Sequence, residues 1–377
     1  MKVLISGGAG FIGSALAIAL VARGDEVTVL DNLSPQIHGS IPRDSELFRK
    51  LPESVHFIEG DVRNVDDWRK ALNGQNAVVH LAAETGTGQS MYEIDRYVDV
   101  NIRGTSLMLD LIAKKECGTD AVSRLVVASS RSIYGEGKYK GGSGFFYPSA
   151  RELSDLESGV FECRDPDSGE LAAPVPTDES SRIHPSSIYG ITKQVQEQLV
   201  LTGGAAVGLG AVALRYQNVY GPGQSLKNPY TGILSIFSTL LLQNKDINIF
   251  EDGKETRDFV FIDDVVSATI KAIDSDVAGQ SYNVGTGEAV DVMTVATELK
   301  KFYGKGGDLK ISGNFRVGDI RHNFADLSKI RAELGFKPKI YFAEGVKAFA
   351  EWVTTQEVSD SGYERSVQEM RSKGLLK

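Results

Sequence analysis

A tyrosine and a lysine four positions apart occur twice in this chain, as Tyr134 with Lys138 and as Tyr189 with Lys193. On a helix, residues four apart lie on the same face. The lysine could then lower the tyrosine pKa from about 10 toward neutrality, which would make the phenolate a general base. A pattern this short is expected by chance about once in a chain of this length, so the surrounding residues must decide which pair does chemistry.

The residues around each pair favour Tyr189 and Lys193. Two glycines follow Tyr134, which disfavours a helix and leaves nothing to hold Lys138 beside it. By contrast, apolar residues recur at helical spacing in "SSIYGITKQVQEQLV", so a helix is predicted around the second pair. Tyr189 is therefore the predicted proton acceptor, and Lys193 is predicted to hold a cofactor ribose. The alternative is an ordinary pair of residues on a helix.

A glycine-rich turn near the start of the chain predicts a dinucleotide site. The turn separates an apolar strand from an apolar helix in "LISGGAGFIGSALAIAL", with glycines at positions 7, 8, 10 and 13. Glycine lets the backbone approach a pyrophosphate closely, and a helix N-terminus offers free N–H groups to the phosphates. The alternative is a tight turn with only a structural role.

Acidic and small residues at the ends of the next strands fit the same cofactor. Asp31 ends the second predicted strand, where its carboxylate could accept both adenosine ribose hydroxyls and would repel a 2′-phosphate, so NAD is favoured over NADP. The alternative role for Asp31 is a helix cap. Asp61 follows the third strand and is expected near the adenine. Ala82 and Ala83 follow the fourth strand and are expected to pass close to the cofactor.

The order of apolar runs predicts an α/β fold with a doubly wound parallel sheet. Six nearly continuous apolar runs alternate with segments of helical periodicity, as expected for parallel strands buried on both faces. These predicted strands span 2–6, 26–30, 55–59, 77–83, 124–130 and 210–216. The longest predicted helices cover 96–116 and 186–204.

The rest of the chain predicts an insertion and a second domain. Residues 136–182 are rich in Gly, Pro, Ser and acidic residues and are too long for a simple connection, so they are predicted to form an inserted lid. A Rossmann-type NAD-binding domain is predicted from 1–218 plus 263–285. A smaller, discontinuous mixed α/β domain for substrate is predicted from 219–262 plus 286–377.

Composition excludes several classes of protein. The chain has 377 residues, 41% of them hydrophobic, and a net charge of −9, which argues against nucleic acid or an anionic membrane as the main partner. Two cysteines make neither a disulfide framework nor a zinc site, so no metal is predicted. Glycines interrupt the apolar N-terminal stretch, and the chain has no apolar run of about 20 residues, so we expect a cytoplasmic protein.

The combined motifs resemble those of the extended short-chain dehydrogenase/reductases, in particular the NAD-dependent nucleotide-sugar epimerases and dehydratases. The resemblance extends over nearly the whole chain through "GGAGFIG", "NIRGT", "SSRSIYG", "LRYQNVYGPGQ", "RDFVFIDDV", "YNVGTG" and "RVGDIRHNFAD". It implies a catalytic triad of Ser130, Tyr189 and Lys193. The residues it implies for NAD are Gly7, Gly10, Phe11, Ile12, Gly13, Asp31, Asn32, Asp61, Val62, Leu81, Ala82, Ala83, Asn101, Tyr189 and Lys193. Those it implies for the sugar nucleotide are Ser130, Arg131, Asn218, Arg257, Arg316 and Asp319.

The residues after Ser130 narrow the reaction that the resemblance implies. Family members that eliminate water across C5 and C6 carry Asp-Glu or a similar polar pair at this place, whereas this chain has Arg131 and Ser132. Arginine stays protonated and is no general acid. The expected reaction is therefore C4 epimerisation of a nucleoside-diphosphate sugar with tightly held NAD. A dehydratase, a reductase and a non-catalytic dinucleotide-binding sensor remain as alternatives.

Two further expectations follow from the resemblance. The stretch "NVYGPGQSLKNPYTG", the stretch "GDIRHNFAD" and the long insertion resemble epimerases that act on a dTDP-linked 6-deoxysugar, with UDP-glucose/galactose and UDP-hexosamine epimerases as the alternative. The helices at 96–115 and 188–202 carry apolar residues on more than one face. In this family such helices pair across a two-fold axis, so a homodimer is expected; the alternative is that the insertion covers them.

Overall fold

The computed structural model describes residues 1–226, 228, 230, 232–357 and 362–377. Three residues of the "NVYGPGQSLKNPYTG" stretch, at 227, 229 and 231, lie outside the described residues. Within the described residues, no helix is long and apolar enough to cross a lipid bilayer.

The described residues form short strands and helices that alternate along most of the chain. The strands are β1 (Lys2–Ser6), β2 (Glu26–Asp31), β3 (His56–Glu59), β4 (Ala77–His80), β5 (Arg124–Ser130), β6 (Lys138–Gly141), β7 (Gly144–Phe146), β8 (Ala173–Val175), β9 (Gly210–Tyr216), β10 (Asn218–Tyr220), β11 (Ile247–Ile249), β12 (Thr256–Arg257), β13 (Phe259–Phe261), β14 (Gln280–Val284), β15 (Val290–Asp291), β16 (Leu309–Ile311) and β17 (His322–Asn323). The α-helices are α1 (Phe11–Ala22), α2 (Pro35–His38), α3 (Glu46–Arg49), α4 (Val65–Leu72), α5 (Thr87–Ser90), α6 (Ile94–Val98), α7 (Gly104–Ala113), α8 (Leu153–Glu157), α9 (Ile188–Ala206), α10 (Ile233–Leu242), α11 (Ile262–Asp274), α12 (Val292–Tyr303), α13 (Ser328–Leu334), α14 (Phe342–Thr354) and α15 (Tyr363–Ser372).

A seven-stranded parallel sheet with helices on both faces forms the centre of the molecule. Its strand order is β14-β9-β5-β4-β1-β2-β3, and neighbouring strands all run parallel. Successive side chains of a strand point to opposite faces. Val3 and Ile5 therefore lie in one apolar layer with α1 and α11, whereas Leu4 lies in the other with α4 and α7. The predicted fold class is confirmed.

The predicted strands occur in this sheet with small shifts at their ends, but one predicted helix is interrupted. The apolar run at 77–83 is a strand only as far as His80, after which the chain turns along the edge of the sheet. The segment 96–116 divides into α6, one wide π-helical turn at Asp99–Arg103, and α7. This turn carries Asn101, which is buried.

A second apolar cluster lies beyond the large sheet. It is formed by α10, α12 and α14 with the short strands β11 and β13, and aromatic rings make much of its contact surface. Residues 325–336, predicted for the second domain, pack instead against the core of the large sheet through Leu327, Ile330 and Phe336. The last residues, 375–377, pair in antiparallel fashion with 315–317 and so support the loop that carries Arg316.

The 136–182 insertion is a folded unit that docks through buried charges. It forms the small antiparallel sheet β7-β6-β8. The side chain of Arg321 is fully buried, and its guanidinium pairs with Glu162 of the insertion and with Glu251 and Asp252. We call these four residues the Arg321 cluster. In addition, Arg151 of the insertion makes a bidentate pair with Glu251, at 2.7 and 2.9 Å.

Replacing Arg321 is expected to destabilise the fold strongly. Arg321→Gln would leave three carboxylates without their shared cation, and loss of one partner from a buried ion pair costs about 3–5 kcal/mol. The measurement is the free energy of unfolding in urea. The control is Lys114→Gln, which removes an exposed pair with Asp110 on α7 and is expected to change stability by less than about 0.5 kcal/mol. A similar small loss for both variants would contradict the proposed role of the Arg321 cluster.

Candidate active site

The glycine turn between β1 and α1 is packed so closely that side chains are excluded. A Cβ on Gly13 would lie 2.3 Å from the carbonyl oxygen of Gly7. Gly7 itself has φ +71°, and a Cβ there would lie 2.7 Å from the backbone nitrogen of Ala82. Gly10 differs, because a Cβ there would meet only one atom, the Gly7 oxygen, at 3.3 Å. The turn thus presents bare backbone and the N-terminus of α1.

This turn forms one wall of a cleft of about 410 Å³ at the carboxyl edge of the sheet. The lining residues come from 7–130 and 189–232. They include all but one of the residues predicted for catalysis or for NAD: Gly7, Gly10, Phe11, Ile12, Gly13, Asp31, Asn32, Asp61, Val62, Leu81, Ala82, Ala83, Ser130, Tyr189 and Lys193.

Asn101 lies behind the cleft wall. Its side-chain oxygen accepts from the backbone nitrogen of Glu84 at 2.8 Å, and its amide donates to the Glu84 carbonyl and to Thr192. Glu84 lines the cleft. In this structure Asn101 therefore positions the cleft wall and links it to α9, and its direct contact with NAD stays a prediction.

The two acidic residues of the cleft have different surroundings. Asp31 accepts from the backbone nitrogens of Ala9 and Leu33, at 3.0 and 2.8 Å, while its burial raises the carboxyl pKa. Asp61 is paired with Arg63, whose hydrogen bonds are the main reason that the pKa of Asp61 is lowered to about 2. Asp31 thus has a fixed orientation toward the cleft, as a ribose ligand requires.

Sequence reasoning missed several residues that line the cleft. Gln36 and His38 lie on α2, directly after the loop that follows Asp31. The His38 ring is buried 4.0 Å from Asp31 and also bonds to the Ser45 hydroxyl. Proximity to Asp31 in sequence could have suggested this segment, but nothing in the residue types showed that its short helix folds over the cleft.

The residues of the cleft suit NAD. A pyrophosphate needs close approach to backbone N–H groups, which the glycine turn and the start of α1 offer. An adenosine ribose needs an oriented carboxylate at the end of the second strand, which is Asp31.

The helix α9 presents Tyr189 and Lys193 to the cleft from one face. Ser187 caps the helix, because its side chain accepts from the backbone nitrogen of Gly190. Ser130, at the end of β5, lies near the Tyr189 hydroxyl and favours its charged form. The Lys193 side chain is almost fully buried and its ammonium group donates to Gln196, while burial lowers its pKa to about 7. The structure thus brings the three predicted catalytic residues together.

The charge state of Tyr189 differs from the sequence expectation. Burial raises the pKa of the phenol above its usual value of 10, and the opposing influences are the nearby Ser130 hydroxyl and the positive charge of Arg131. The expectation that Lys193 lowers this pKa toward neutrality is therefore wrong for this structure. The physical reason is that Lys193 lies in a desolvated position, where its own charged form is disfavoured.

The second Tyr–Lys pair is separated, as its glycines predict. The Tyr134 hydroxyl is buried, donates to Asn283 and accepts from Arg215. Lys138 forms an ion pair with Asp178 at 2.7 Å. Tyr134 therefore has a structural role.

The residues predicted for substrate form a second group beside Ser130. Nε of Arg131 donates to the side-chain oxygen of Asn218 at 2.6 Å. Arg257 and Arg316 lie on either side of Asp319, at 3.5 and 3.9 Å. Two guanidinium groups beside one carboxylate, with Arg131 nearby in the same group, give local positive charge in a protein of net charge −9, which suits a diphosphate. Sequence reasoning missed Arg151, which donates to the Asp319 carbonyl from the insertion.

Comparison with known proteins gives relatives that match over nearly their whole length. The chain is 37% identical to dTDP-L-rhamnose 4-epimerase from Burkholderia thailandensis, with 94% of this chain and 95% of that protein covered. It is 29% identical to a putative UDP-glucose 4-epimerase from Methanocaldococcus jannaschii, over 93% of this chain and 98% of that protein.

Solved structures agree with these sequence matches. UDP-glucose 4-epimerase from Thermotoga maritima with UDP-glucose superposes with a TM-score of 0.75 at 29% identity, covering 94% of this chain and 99% of that one. UDP-glucose 4-epimerase from Thermus thermophilus in complex with NAD gives a TM-score of 0.74 at 28% identity, covering 95% and 100% of the two chains.

A glycine turn at a parallel sheet edge, facing a Ser–Tyr–Lys group, defines an extended short-chain dehydrogenase/reductase. The chain belongs to the NAD dependent epimerase/dehydratase family, whose sequence profile matches residues 3–150 and 166–285. The predicted family, cofactor and enzyme class are confirmed.

Loss of the glycine at position 13 should weaken cofactor binding. Gly13→Ala forces a methyl group against the Gly7 carbonyl, and such overpacking costs about 1–3 kcal/mol, or roughly 5- to 150-fold in the NAD dissociation constant. Isothermal titration of the apoprotein with NAD measures the change. The control is Gly142→Ala in the insertion, where a Cβ meets nothing within 4 Å. Equal affinities in the two variants would exclude close packing at the turn as a requirement.

Proposed function

We propose that the protein is an NAD-dependent 4-epimerase of a nucleoside-diphosphate sugar, with dTDP-L-rhamnose as the substrate. The observation that carries the proposal is the placing of Tyr189 beside Ser130 at the NAD cleft, next to the arginine group around Asp319. One end of this arrangement suits proton transfer at a sugar hydroxyl. The other end suits a diphosphate.

In the proposed reaction Tyr189 takes the proton of the C4 hydroxyl while Ser130 orients the same oxygen. NAD, when bound, supplies the acceptor for the C4 hydride and later returns it. Arg131, Asn218, Arg257, Arg316 and Asp319 hold the nucleoside diphosphate, so that the 4-keto sugar can turn about its phosphate linkage. Tyr189 then returns the proton to the alkoxide formed when the hydride arrives on the opposite face.

The residues beside Ser130 support epimerisation over elimination. Arg131 extends toward Asn218, and the Ser132 hydroxyl accepts a hydrogen bond from Ser130. Neither group can protonate a leaving hydroxyl at C6, because an arginine stays charged and a serine hydroxyl is a very weak acid.

The choice of sugar rests on similarity. The identity of 37% to the dTDP-L-rhamnose enzyme, over 94% of the chain, exceeds the 29% to the putative UDP-glucose enzyme over 93% of it, and favours the dTDP sugar. The runner-up is UDP-glucose/galactose or UDP-hexosamine, because the T. maritima UDP-glucose 4-epimerase structure superposes with a TM-score of 0.75.

Inversion at C4 is the direct test of this function. The protein is incubated separately with dTDP-L-rhamnose, UDP-glucose and UDP-N-acetylglucosamine, and the sugar protons are followed by NMR. We expect inversion of dTDP-L-rhamnose at the highest rate. Faster inversion of a UDP-sugar would overturn the substrate but keep the reaction, whereas retention of C4 in all three would overturn both.

Tyr189→Phe should abolish this inversion. Removal of a general base typically costs about 10²- to 10⁴-fold in rate, and here the phenol is the group beside Ser130. The control is Tyr134→Phe, which loses buried hydrogen bonds to Asn283 and Arg215 and should lower stability while C4 inversion continues. Inactivity of the Tyr134 variant alone would show that the wrong Tyr–Lys pair has been assigned.

We also propose that the chain forms two domains, 1–218 plus 263–285 for NAD and 219–262 plus 286–377 for the nucleotide sugar. Within the second set, residues 325–336 are an exception, because they pack against the core of the large sheet. All seven strands of the large sheet fall within the first set of residues. The second apolar cluster falls mainly within the second set. The cytoplasm remains the proposed location, supported by two cysteines that are both free thiols.

A homodimer through α6 and α9 is proposed as the assembly. These helices pack together and expose Ile94 and Val98 on α6 and Ile191 on α9, and Met91, just before α6, is exposed as well; each of the four is between 37% and 49% exposed. The insertion packs elsewhere, with Leu156 and Phe161 against Phe315.

The double variant Ile94→Asp/Val98→Asp should therefore sediment as a monomer, because two charges would be buried in the interface. Ile311→Asp is the control, since Ile311 is 57% exposed on β16, away from this patch, and that variant should remain a dimer. Sedimentation velocity distinguishes the two. A wild-type monomer, or a dimer that survives the double substitution, would refute the interface.

A further inference from the structure

Two segments that line the cleft follow strands on opposite sides of the glycine turn. In the large sheet β1 lies between β2 and β4, and the glycine turn begins where β1 ends. The connection after β2 carries α2, and the connection after β4 leads to α5. Both connections contribute residues to the cleft wall. A contact between α2 and α5 therefore joins the two sides of the cleft across the end of β1.

Gln36 of α2 and Gln89 of α5 make this contact through reciprocal amide hydrogen bonds. Nε2 of Gln36 donates to Oε1 of Gln89 at 3.1 Å, and Nε2 of Gln89 donates to Oε1 of Gln36 at 3.2 Å. Each amide thus supplies the other with one donor and one acceptor, which fixes the orientation of both side chains. We call these two residues the glutamine pair.

The α5 side of the glutamine pair is the firmly anchored one. Gln89 is buried, and its Oε1 also accepts from the Tyr97 hydroxyl at 3.2 Å. Arg96 on α6 donates to Oε1 of Gln36 at 3.4 Å and to Glu84 at 2.8 Å. Gln36, by contrast, is half-buried on a helix of only four residues. The short helix α2 is therefore the side that would swing away when the pair opens.

The connection that carries α2 also covers the part of the cleft expected to hold NAD. The His38 ring is buried 4.0 Å from the Asp31 carboxylate, and Ile37 lines the cleft beside it. Asp31 suits the adenosine ribose, and the glycine turn suits the pyrophosphate. A dinucleotide held by these two groups would therefore lie beneath the connection that the glutamine pair holds in place.

We propose that Gln36 and Gln89 form a latch that retains NAD, so that the cofactor enters and leaves only when the pair opens and α2 swings away. This inference needs NAD binding but no particular sugar, and so goes beyond the proposed function. Closing segments of this kind commonly control the exchange of ligands in enzymes. An epimerase that returns the hydride it takes needs no exchange of cofactor during turnover. Both glutamines would act as positioning residues.

The test measures NAD exchange in Gln36→Ala, with Arg49→Ala as the control. Protein loaded with radiolabelled NAD is chased with unlabelled NAD to give the dissociation rate. Association of NADH with the apoprotein is followed by its fluorescence in stopped flow. Gln36→Ala removes three hydrogen bonds that hold α2, so both rates should rise about tenfold or more. Arg49→Ala removes an exposed ion pair with Asp44 in the same connection and should keep the wild-type rates.

The two rates together distinguish a latch from an ordinary contact with the cofactor. Loss of a contact made only to bound NAD raises the dissociation rate and leaves the association rate unchanged. A latch slows entry as well as exit, so its loss should change the dissociation constant less than it changes either rate. Unchanged dissociation in Gln36→Ala, or faster dissociation without faster association, would overturn the proposal.

Gln89→Ala breaks the same pair from the other side. The double variant should exchange NAD at about the rate of Gln36→Ala, because the pair is already broken there. Effects that multiply in the double variant would show that the two residues act separately, and would overturn the latch. If Gln89→Ala does not fold, the two rates of Gln36→Ala decide alone. These measurements use no sugar, so failure of the proposed function is seen separately.

Discussion

The buried ion pair between Glu197 and Arg215 fixes the geometry on which the rest of the site depends. Glu197 lies on α9 and Arg215 on β9, with their charged atoms 2.6 Å apart and both side chains almost fully buried. Glu197 also accepts from Ser129, which directly precedes Ser130 on β5. A single carboxylate therefore ties the helix that carries Tyr189 to the strand that carries Ser130. Because both partners are desolvated, a shift of the helix would separate charges in a medium of low polarity.

The cofactor cleft depends on the opposite property, which is the absence of side chains. The β1–α1 turn can pass within contact distance of the Ala82 backbone because position 7 has no Cβ and a positive φ. The cleft thus has one wall of bare peptide, while Asp31 and Asp61 occupy the next two strand ends. The cleft offers backbone N–H groups that suit phosphates and a carboxylate, Asp31, that suits a ribose, so recognition of NAD would need little positive charge from the protein. This agrees with the acidic composition.

Much of the fold and part of the site could be predicted from sequence, because they depend on local rules. The strands of the large sheet are continuous apolar runs, and the glycine turn has its required neighbours in the chain. The π-helical turn that carries Asn101 could not be predicted, since it depends on contacts with Glu84 and Thr192 that are distant in sequence. The same holds for His38 over Asp31, and for the pKa of Tyr189, which reflects burial and the charge of Arg131.

Contacts of the insertion were the least predictable, because its polar composition is also typical of a loose loop. The structure shows instead that Glu162 and Arg151 are tied to residues of the β11–β12 and β16–β17 connections. Because the charged groups are buried, these contacts are specific. The contact from Arg151 also supports the backbone of Asp319. The insertion therefore supports the group of arginines around that residue, and its role as a lid stays a prediction.

The Arg321 cluster also constrains how this chain could have diverged from its relatives. The guanidinium has no access to solvent and takes part of its compensation from Glu162, which the insertion provides. Loss of the insertion alone would remove Glu162 but leave Glu251 and Asp252 to pair with the guanidinium. Loss of the arginine alone would instead leave three acidic side chains close together. We therefore expect homologues that carry the insertion to keep the arginine.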